Sequence, residues 1–374
     1  MRDFITPGES VAVLTASLER NSIVEILLQL CNGMAERGLA VELVVCTSPV
    51  PLPEMLSNRI RVVFLGVGNP LLTLWRLTKY LRRHPPKALL TARVRQNLAA
   101  IAARLLSGVK TRLVISEHPD CACHARWIKS QYRLLYTAAV RYVYPLADAV
   151  VTVSQDAAKS TRGFAPLLTH KVVWIYNPVM NDALFRQSLA PIQHPWFHDP
   201  EYPLILAVGR LVVQKNYPLL LRAFALLRHT RPCRLMILGE GNERKSLESM
   251  TTSLGIEKDV ALPGNVDNAS AYMRHADLLA LSSRCEGLPT VLIEALACGC
   301  PIVSTNCPSG PREILADGRF GTLVPCGDSE TLAKAMVGAL ANRPEINKEE
   351  LQQHLQKFSL REALPQYIDI LINS

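Results

Sequence analysis

Short apolar runs rich in β-branched residues alternate along this chain with longer stretches of helical period. In the first half the short runs fall at 11–16, 41–46, 60–65, 88–92, 111–116, 149–153 and 172–175. In the second they fall at 204–208, 234–238, 260–262, 277–281, 301–304 and 321–324. Strands of this kind separated by helices predict parallel sheets with helices on both faces, twice over. Residues 188–203 break the rhythm with Pro191, Pro195, Pro200 and Pro203, which reads as a linker. The expected organisation is α/β throughout: a Rossmann-like domain over 1–187, a linker over 188–203, a second Rossmann-like domain over 204–357, and a last helix over 358–374.

The most specific pattern follows the run 277–281. Ser282, Ser283, Arg284, Cys285, Glu286, Gly287, Leu288 and Pro289 form a tight loop, and Val291, Leu292, Ala295 and Leu296 then recur at helical spacing up to Cys298 and Gly299. This reads as strand, loop, and a helix with a proline in its first turn. Glu286 lies at the helix N-terminus, and Glu294 lies about one and a half turns inside. Free N–H groups at a helix N-terminus favour phosphate, while carboxylates accept hydrogen bonds from sugar hydroxyls. A phosphate flanked by two polyols answers both, and a nucleotide sugar is such a molecule. An isolated pair of glutamates with this spacing is, by contrast, ordinary surface charge. The neighbouring residues carry the specificity.

Ligands of open α/β sheets bind at the carboxyl ends of strands. Gly209, Arg210 and Lys215 follow the run 204–208 there, with Asn216 as a helix cap and Pro218 in the first turn. An Arg fork and a Lys point charge suit a diphosphate, and a solvated loop is the plain alternative. Gly239 and Gly241 follow the next run at the same sheet edge, and Gly264, Asn265 and Val266 follow the one after, as pocket-shaping loops or as simple turns. His118 stands just past the run 111–116. Cys121, Cys123, His124 and His118 lack the spacing of a structural zinc site.

The segment 277–299 resembles the signature of retaining glycosyltransferases of the GT-B fold, family 4, whose hallmark is two glutamates separated by seven residues after a Ser-rich strand end. Residues 304–315 (STNCPSGPREIL) and 321–325 (GTLVP) resemble it too, and the likeness is strongest from about 200 to 330. It implies two doubly wound Rossmann-like domains facing a central cleft, with the last helix returning to the first domain. It implies that Arg210 and Lys215 contact the donor diphosphate, that Glu286, Gly287, Leu288 and Pro289 meet the donor sugar and phosphate, and that Glu294 holds ribose. Gly209, Gly239, Gly241, Asn265 and Val266 would line the nucleotide pocket, and His118 would bond a hydroxyl of the transferred sugar. The implied reaction takes a UDP- or GDP-sugar to a polyprenyl-diphosphate-linked saccharide with retained configuration. The chain has no Asp-x-Asp pair, so no metal and no cofactor are expected. The family's glycine pair after the first strand is absent; the loop reads Ser17, Leu18, Glu19, Arg20, Asn21, Ser22. A nucleotide-sugar epimerase on the same fold, or a non-catalytic binding subunit, are the rival readings.

Charge changes the picture by its distribution. Residues 1–187 hold 23 Lys and Arg against 12 Asp and Glu, net +11, while the rest holds 18 against 20, net −2. Arg76, Lys79 and Arg83 recur at helical spacing in one stretch. Arg126, Lys129 and Arg133 do so in another, interleaved with Trp127, Tyr132 and Tyr136. Basic helix faces with aromatic neighbours suit an anionic membrane surface, and the plain alternative is a solvated face. No nucleic-acid-binding motif is present. Arg141 and Asp148 interrupt the best candidate for a membrane span, and ten cysteines without framework spacing suit reduced thiols. A cytoplasmic enzyme attached peripherally to the inner face of the plasma membrane is the expectation.

Overall fold

The structure, a computed structural model, describes residues 10–373 apart from 20, 67, 200, 343 and 344. The chain divides into two units, Met1–Pro178 with Ser359–Ser374, and Val179–Phe358.

The first unit holds β1 (Val11–Thr15), β2 (Val41–Val45), β3 (Arg61–Phe64), β4 (Ala88–Ala92), β5 (Arg112–Glu117), β6 (Ala149–Thr152) and β7 (Val172–Trp174) in the order β3-β2-β1-β4-β5-β6-β7. The second holds β8 (Leu204–Val208), β9 (Arg234–Leu238), β10 (Val260–Gly264), β11 (Leu278–Leu281), β12 (Ile302–Thr305) and β13 (Thr322–Val324) in the order β10-β9-β8-β11-β12-β13. All pairings described are parallel. Each run read as a strand from the sequence forms one, with ends shifted by a residue or two.

Strand alternation explains how one sheet serves two cores. Val11, Val13, Leu43 and Leu90 face one layer with the helix Ser22–Glu36, while Ala12, Leu14, Val44 and Leu89 face the opposite layer with the helices Pro70–Arg83 and Val94–Ser107. The C-terminal helix Leu360–Ile368 completes the first layer, where Leu364 and Tyr367 are buried. Gly33 makes this approach possible: a Cβ there would stand 2.7 Å from Leu364 Cδ2.

The proline-rich stretch is not a linker. The boundary lies at 178/179, and residues 188–203 belong to the second unit. Val179 and Met180 N–H both donate to the Phe358 carbonyl at 2.8 and 2.9 Å, tying the entry of that unit to its exit. Asn181 caps the helix Asp182–Ser188 by accepting from Leu184 N at 2.8 Å. The Arg234 guanidinium lies 5.2 Å from the Trp196 ring and 4.6 Å from that of Tyr202, and pairs with Asp199 at 3.0 Å. Prolines hide this packing from any periodicity test, because the segment is held by cation–π contacts rather than by a helix face.

Leu364→Ala should destabilise the first unit by about 2–5 kcal/mol, since the side chain is 4 % exposed and fixed between helices. Urea unfolding reads this directly, and a loss under about 0.5 kcal/mol would mean that the terminal helix does not contribute to the core.

Candidate functional site

In the second sheet the chain runs outward from β8 through β9 to β10, then returns to β11 and leaves in the other direction. The loops after β8 and β11 therefore part at the carboxyl edge, which is where such sheets bind ligands. They are the loops the sequence singled out. Here they are stitched together: Ser282 Oγ donates to Lys215 O at 2.9 Å, Arg284 N to Gln214 O at 2.9 Å, and Gln214 Nε2 to Cys285 O at 2.8 Å.

At the centre Lys215 Nζ meets Glu286 Oε1 at 2.7 Å, with the side chains only 15 % and 9 % exposed. Ser283 Oγ donates to the same oxygen at 2.6 Å. Removing a carboxylate from water costs several kcal/mol unless it is paired and hydrogen-bonded, and both conditions are met. The bonds described all fall on Oε1, which leaves Oε2 as an acceptor. Lys215 was expected at a phosphate and Glu286 at a sugar; the structure joins them directly.

The glycines explain themselves by close approach. A Cβ on Gly239, whose φ is +140°, would stand 2.1 Å from Gly209 O, and one on Gly241 would stand 2.2 Å from Leu211 O. Gly209 N donates to Leu238 O at 2.9 Å, and Tyr217 Oη donates to Gly209 O at 3.0 Å. Burial, and then the charge of Glu286, raise the Tyr217 phenol above its ordinary pKa and keep it a donor. Gly310, with φ +100°, lets its turn sit against Pro289, where a Cβ would meet Cδ at 2.4 Å.

Other expected residues are placed less tightly. Arg210 is exposed, and among the described residues its side chain has no partner. Asn216 does not cap with its side chain: it adopts φ +53°, and its carbonyl accepts from Leu219 N at 2.9 Å. Pro218 does occupy the first turn. Pro289 is the residue before the helix Thr290–Ala297 rather than one inside it, and that helix start has no side-chain cap. Gly287 and Leu288 are buried with Pro289, and Glu294 is half-buried on the helix. The helix ends as read, on Cys298, with Gly299 at φ +74°. Asn265 is exposed and Val266 half-buried beyond β10.

His118 lies in the first unit, half-buried, with Ser116 Oγ 3.5 Å from Nε2. Burial, and then the nearby Arg93 charge, push its pKa down to about 4, so the ring is neutral at neutral pH. Among the described residues no group of His, Cys, Asp and Glu is placed to hold a metal ion, and no helix is long and apolar enough to cross a membrane.

Arg76, Lys79 and Arg83 share the helix Pro70–Arg83 and are exposed, with Lys79 Nζ 5.0 Å from the Trp75 ring. Arg126, Lys129 and Arg133 do not share one helix. The chain breaks at Ile128 and Lys129 between the helices Cys121–Trp127 and Ser130–Ala138. Trp127 and Tyr132 are exposed, but Tyr136 is buried, against the expectation of an aromatic belt that included it. Sequence reading passed over Ser283, Gln214 and Tyr217. Only Ser283 left a signal, its place beside Glu286 in the motif.

Two Rossmann-like units, the second with its paired loops at the switch point of the sheet, are the building blocks of a GT-B glycosyltransferase. Residues 23–182 match the family described as Glycosyltransferase Family 4, and residues 191–358 match Glycosyl transferases group 1. The chain belongs to this family of glycosyltransferases. A relative from Campylobacter jejuni subsp. jejuni serotype O:2, N-acetylgalactosamine-N,N'-diacetylbacillosaminyl-diphospho-undecaprenol 4-alpha-N-acetylgalactosaminyltransferase, is 32 % identical over 65 % of this chain and 64 % of its own length. The chain thus spans less than two thirds of the length of the curated relatives it first matches. Sucrose-phosphate synthase from Thermosynechococcus elongatus superposes with a TM-score of 0.78 at 18 % identity, over 98 % of this chain and 100 % of the other. HepE from Anabaena, in complex with UDP and glucose, superposes with 0.73 at 17 % identity, over 98 % and 100 %. These two likenesses establish the fold.

Breaking the buried pair should be costly. Lys215→Met leaves Glu286 without its cation and should destabilise the second unit by about 3–5 kcal/mol. Urea unfolding that matches wild type would show that the pair is not held as described.

Proposed function

We propose that the protein transfers a sugar from a UDP- or GDP-sugar to a hydroxyl of a polyprenyl-diphosphate-linked saccharide, with retained configuration and without a metal ion. The observation that carries this reading is the Lys215–Glu286 pair, 2.7 Å apart at the switch point of the second sheet, which puts a cation and a carboxylate with one open oxygen side by side. The acceptor class rests on the name of the Campylobacter relative, and UDP as the first nucleotide to try rests on HepE.

In this reading Arg210 and Lys215, with the helix start after Pro289, face the diphosphate, and their charge is aimed where the leaving phosphate gains its own. Glu286 Oε2 accepts from a hydroxyl of the donor sugar, Glu294 accepts from ribose, and the loops at Gly209, Gly239, Gly241, Asn265 and Val266 shape the nucleotide pocket. Neutral His118 bonds the transferred sugar. The anomeric carbon leaves the phosphate oxygen and bonds the acceptor oxygen on the same face. The acceptor's proton passes to the leaving phosphate, so neither a metal nor a protein base is required.

The membrane reading gains from residues the sequence did not flag. Leu71 is 78 % exposed on the helix that also carries exposed Trp75, and Leu134 is 79 % exposed on the helix that also carries exposed Leu135. Apolar and aromatic tips among Arg76, Lys79, Arg83, Arg126, Lys129 and Arg133 suit the headgroup layer of an anionic bilayer. At about 1 kcal/mol for each cation, attachment is reversible and salt-sensitive. We place the enzyme on the cytoplasmic face of the plasma membrane, where a lipid-linked acceptor is within reach.

Arg210→Ala should lower turnover on the order of 100-fold, and EDTA should leave it unchanged. Loss of activity in EDTA with rescue by magnesium would contradict the metal-free reaction. Release of a nucleoside diphosphate with no acceptor product, or donor epimerisation, would point to the rival classes. Leu134→Asp with Leu135→Asp should abolish sedimentation with phosphatidylglycerol vesicles at low salt; binding that ignores both salt and these changes would remove the docking surface.

A further inference from the structure

Directly before His118 lies a carboxyl group that none of the chemistry above uses. Glu117 ends β5 and is fully buried, among the apolar residues on the side of the sheet where the helix Val94–Ser107 packs. Tyr144 Oη donates to its Oε2 at 2.7 Å, and Asn97 Nδ2 donates to the same oxygen at 3.3 Å. Among the described residues its Oε1 and Asn97 Oδ1 have no partner. Tyr144, Tyr136 and Cys121 feel its charge, and none of them is a cation. Burial pushes its pKa up to about 7, against the pull of the two hydrogen bonds. An apolar side chain would fill this space without that desolvation cost.

What the carboxyl does is visible in its bonds. Asn97 Nδ2 also donates to Ser116 O at 3.2 Å, so one amide grips both the backbone and the side chain at the end of β5. Successive side chains alternate across a sheet, so Glu117 anchored on one side directs Ser116 to the other. There Ser116 Oγ stands 3.5 Å from His118 Nε2. Beyond His118 the chain is pinned again: Asp120 Oδ1 accepts from Cys123 N at 2.9 Å and from Ser160 Oγ at 2.8 Å. His118 and Pro119 are the short span between two buried acidic anchors.

We propose that Glu117, gripped by Tyr144 and Asn97, is a positioning residue that fixes the end of β5 and thereby the place and solvation of the His118 ring. The proposal rests on the assignment of His118 to the transferred sugar for its functional meaning, but its test does not.

The test is the His118 titration, followed by NMR of the imidazole nitrogens in the full chain and assigned by its loss in His118→Gln. Wild type should titrate at about 4. Glu117→Gln keeps an acceptor for Tyr144 and should stay there. Glu117→Ala and Tyr144→Phe should both move the titration up by about one unit or more, towards the ordinary value near 6.5, while UDP affinity is unchanged. A folded Glu117→Ala with the wild-type titration overturns the proposal. If that variant does not fold, an unchanged titration in Tyr144→Phe overturns it equally. Full turnover in His118→Ala would instead remove the role of His118 and leave the positioning result standing.

Discussion

A buried ion pair between two loops is the interaction on which the second unit's site depends. Lys215 and Glu286 come from loops after β8 and β11, strands that are neighbours in the sheet although far apart in sequence. Their contact cannot form unless both loops turn in at the carboxyl edge, and the sheet order guarantees that meeting. The rest of the local structure serves the same end. Ser283 shares the carboxylate, Gln214 and Ser282 tie the two loops by backbone contacts, and Tyr217 holds the Gly209 carbonyl. Pairing and the Ser283 hydrogen bond offset the cost of burying either charge alone. They also fix a carboxylate oxygen and a cation at one place before any ligand arrives, which is the preorganisation that charge-transferring chemistry needs.

The glycines show the complementary constraint, which is space. Gly239 and Gly241 are required because backbone oxygens of Gly209 and Leu211 occupy the positions where a Cβ would be. Their work is to let three neighbouring loops lie flat against one another, and the shape of the crevice follows.

Much of this was open to sequence reasoning because it depends on local pattern. β-branched runs named the thirteen strands found among the described residues, since buried parallel strands tolerate little else. Glu286, Gly287 and Pro289 were legible because a strand, a tight loop and a helix start leave a local signature. What was hidden depends on contacts between distant segments. Asn216 reads as a side-chain cap, yet the turn closing on Val213 puts it at φ +53° and leaves the cap to its carbonyl. Arg126, Lys129 and Arg133 share a helical period, but the chain turns at Ile128 and Lys129. Residues 188–203 look like a linker until Arg234 is seen between Trp196 and Tyr202. Glu117 gave no signal either, because its partners lie on other elements.

The central claim is that the crevice beside the Lys215–Glu286 pair recognises a diphosphate as well as a nucleoside. Calorimetric titration compares UDP with uridine, and GDP with guanosine, on the same protein. For the base the enzyme uses, the diphosphate should bind at least about tenfold more tightly than the nucleoside, a difference of about 1.4 kcal/mol, and Arg210→Ala should erase most of it. Equal affinity for diphosphate and nucleoside, or no binding of either pair, would contradict the claim.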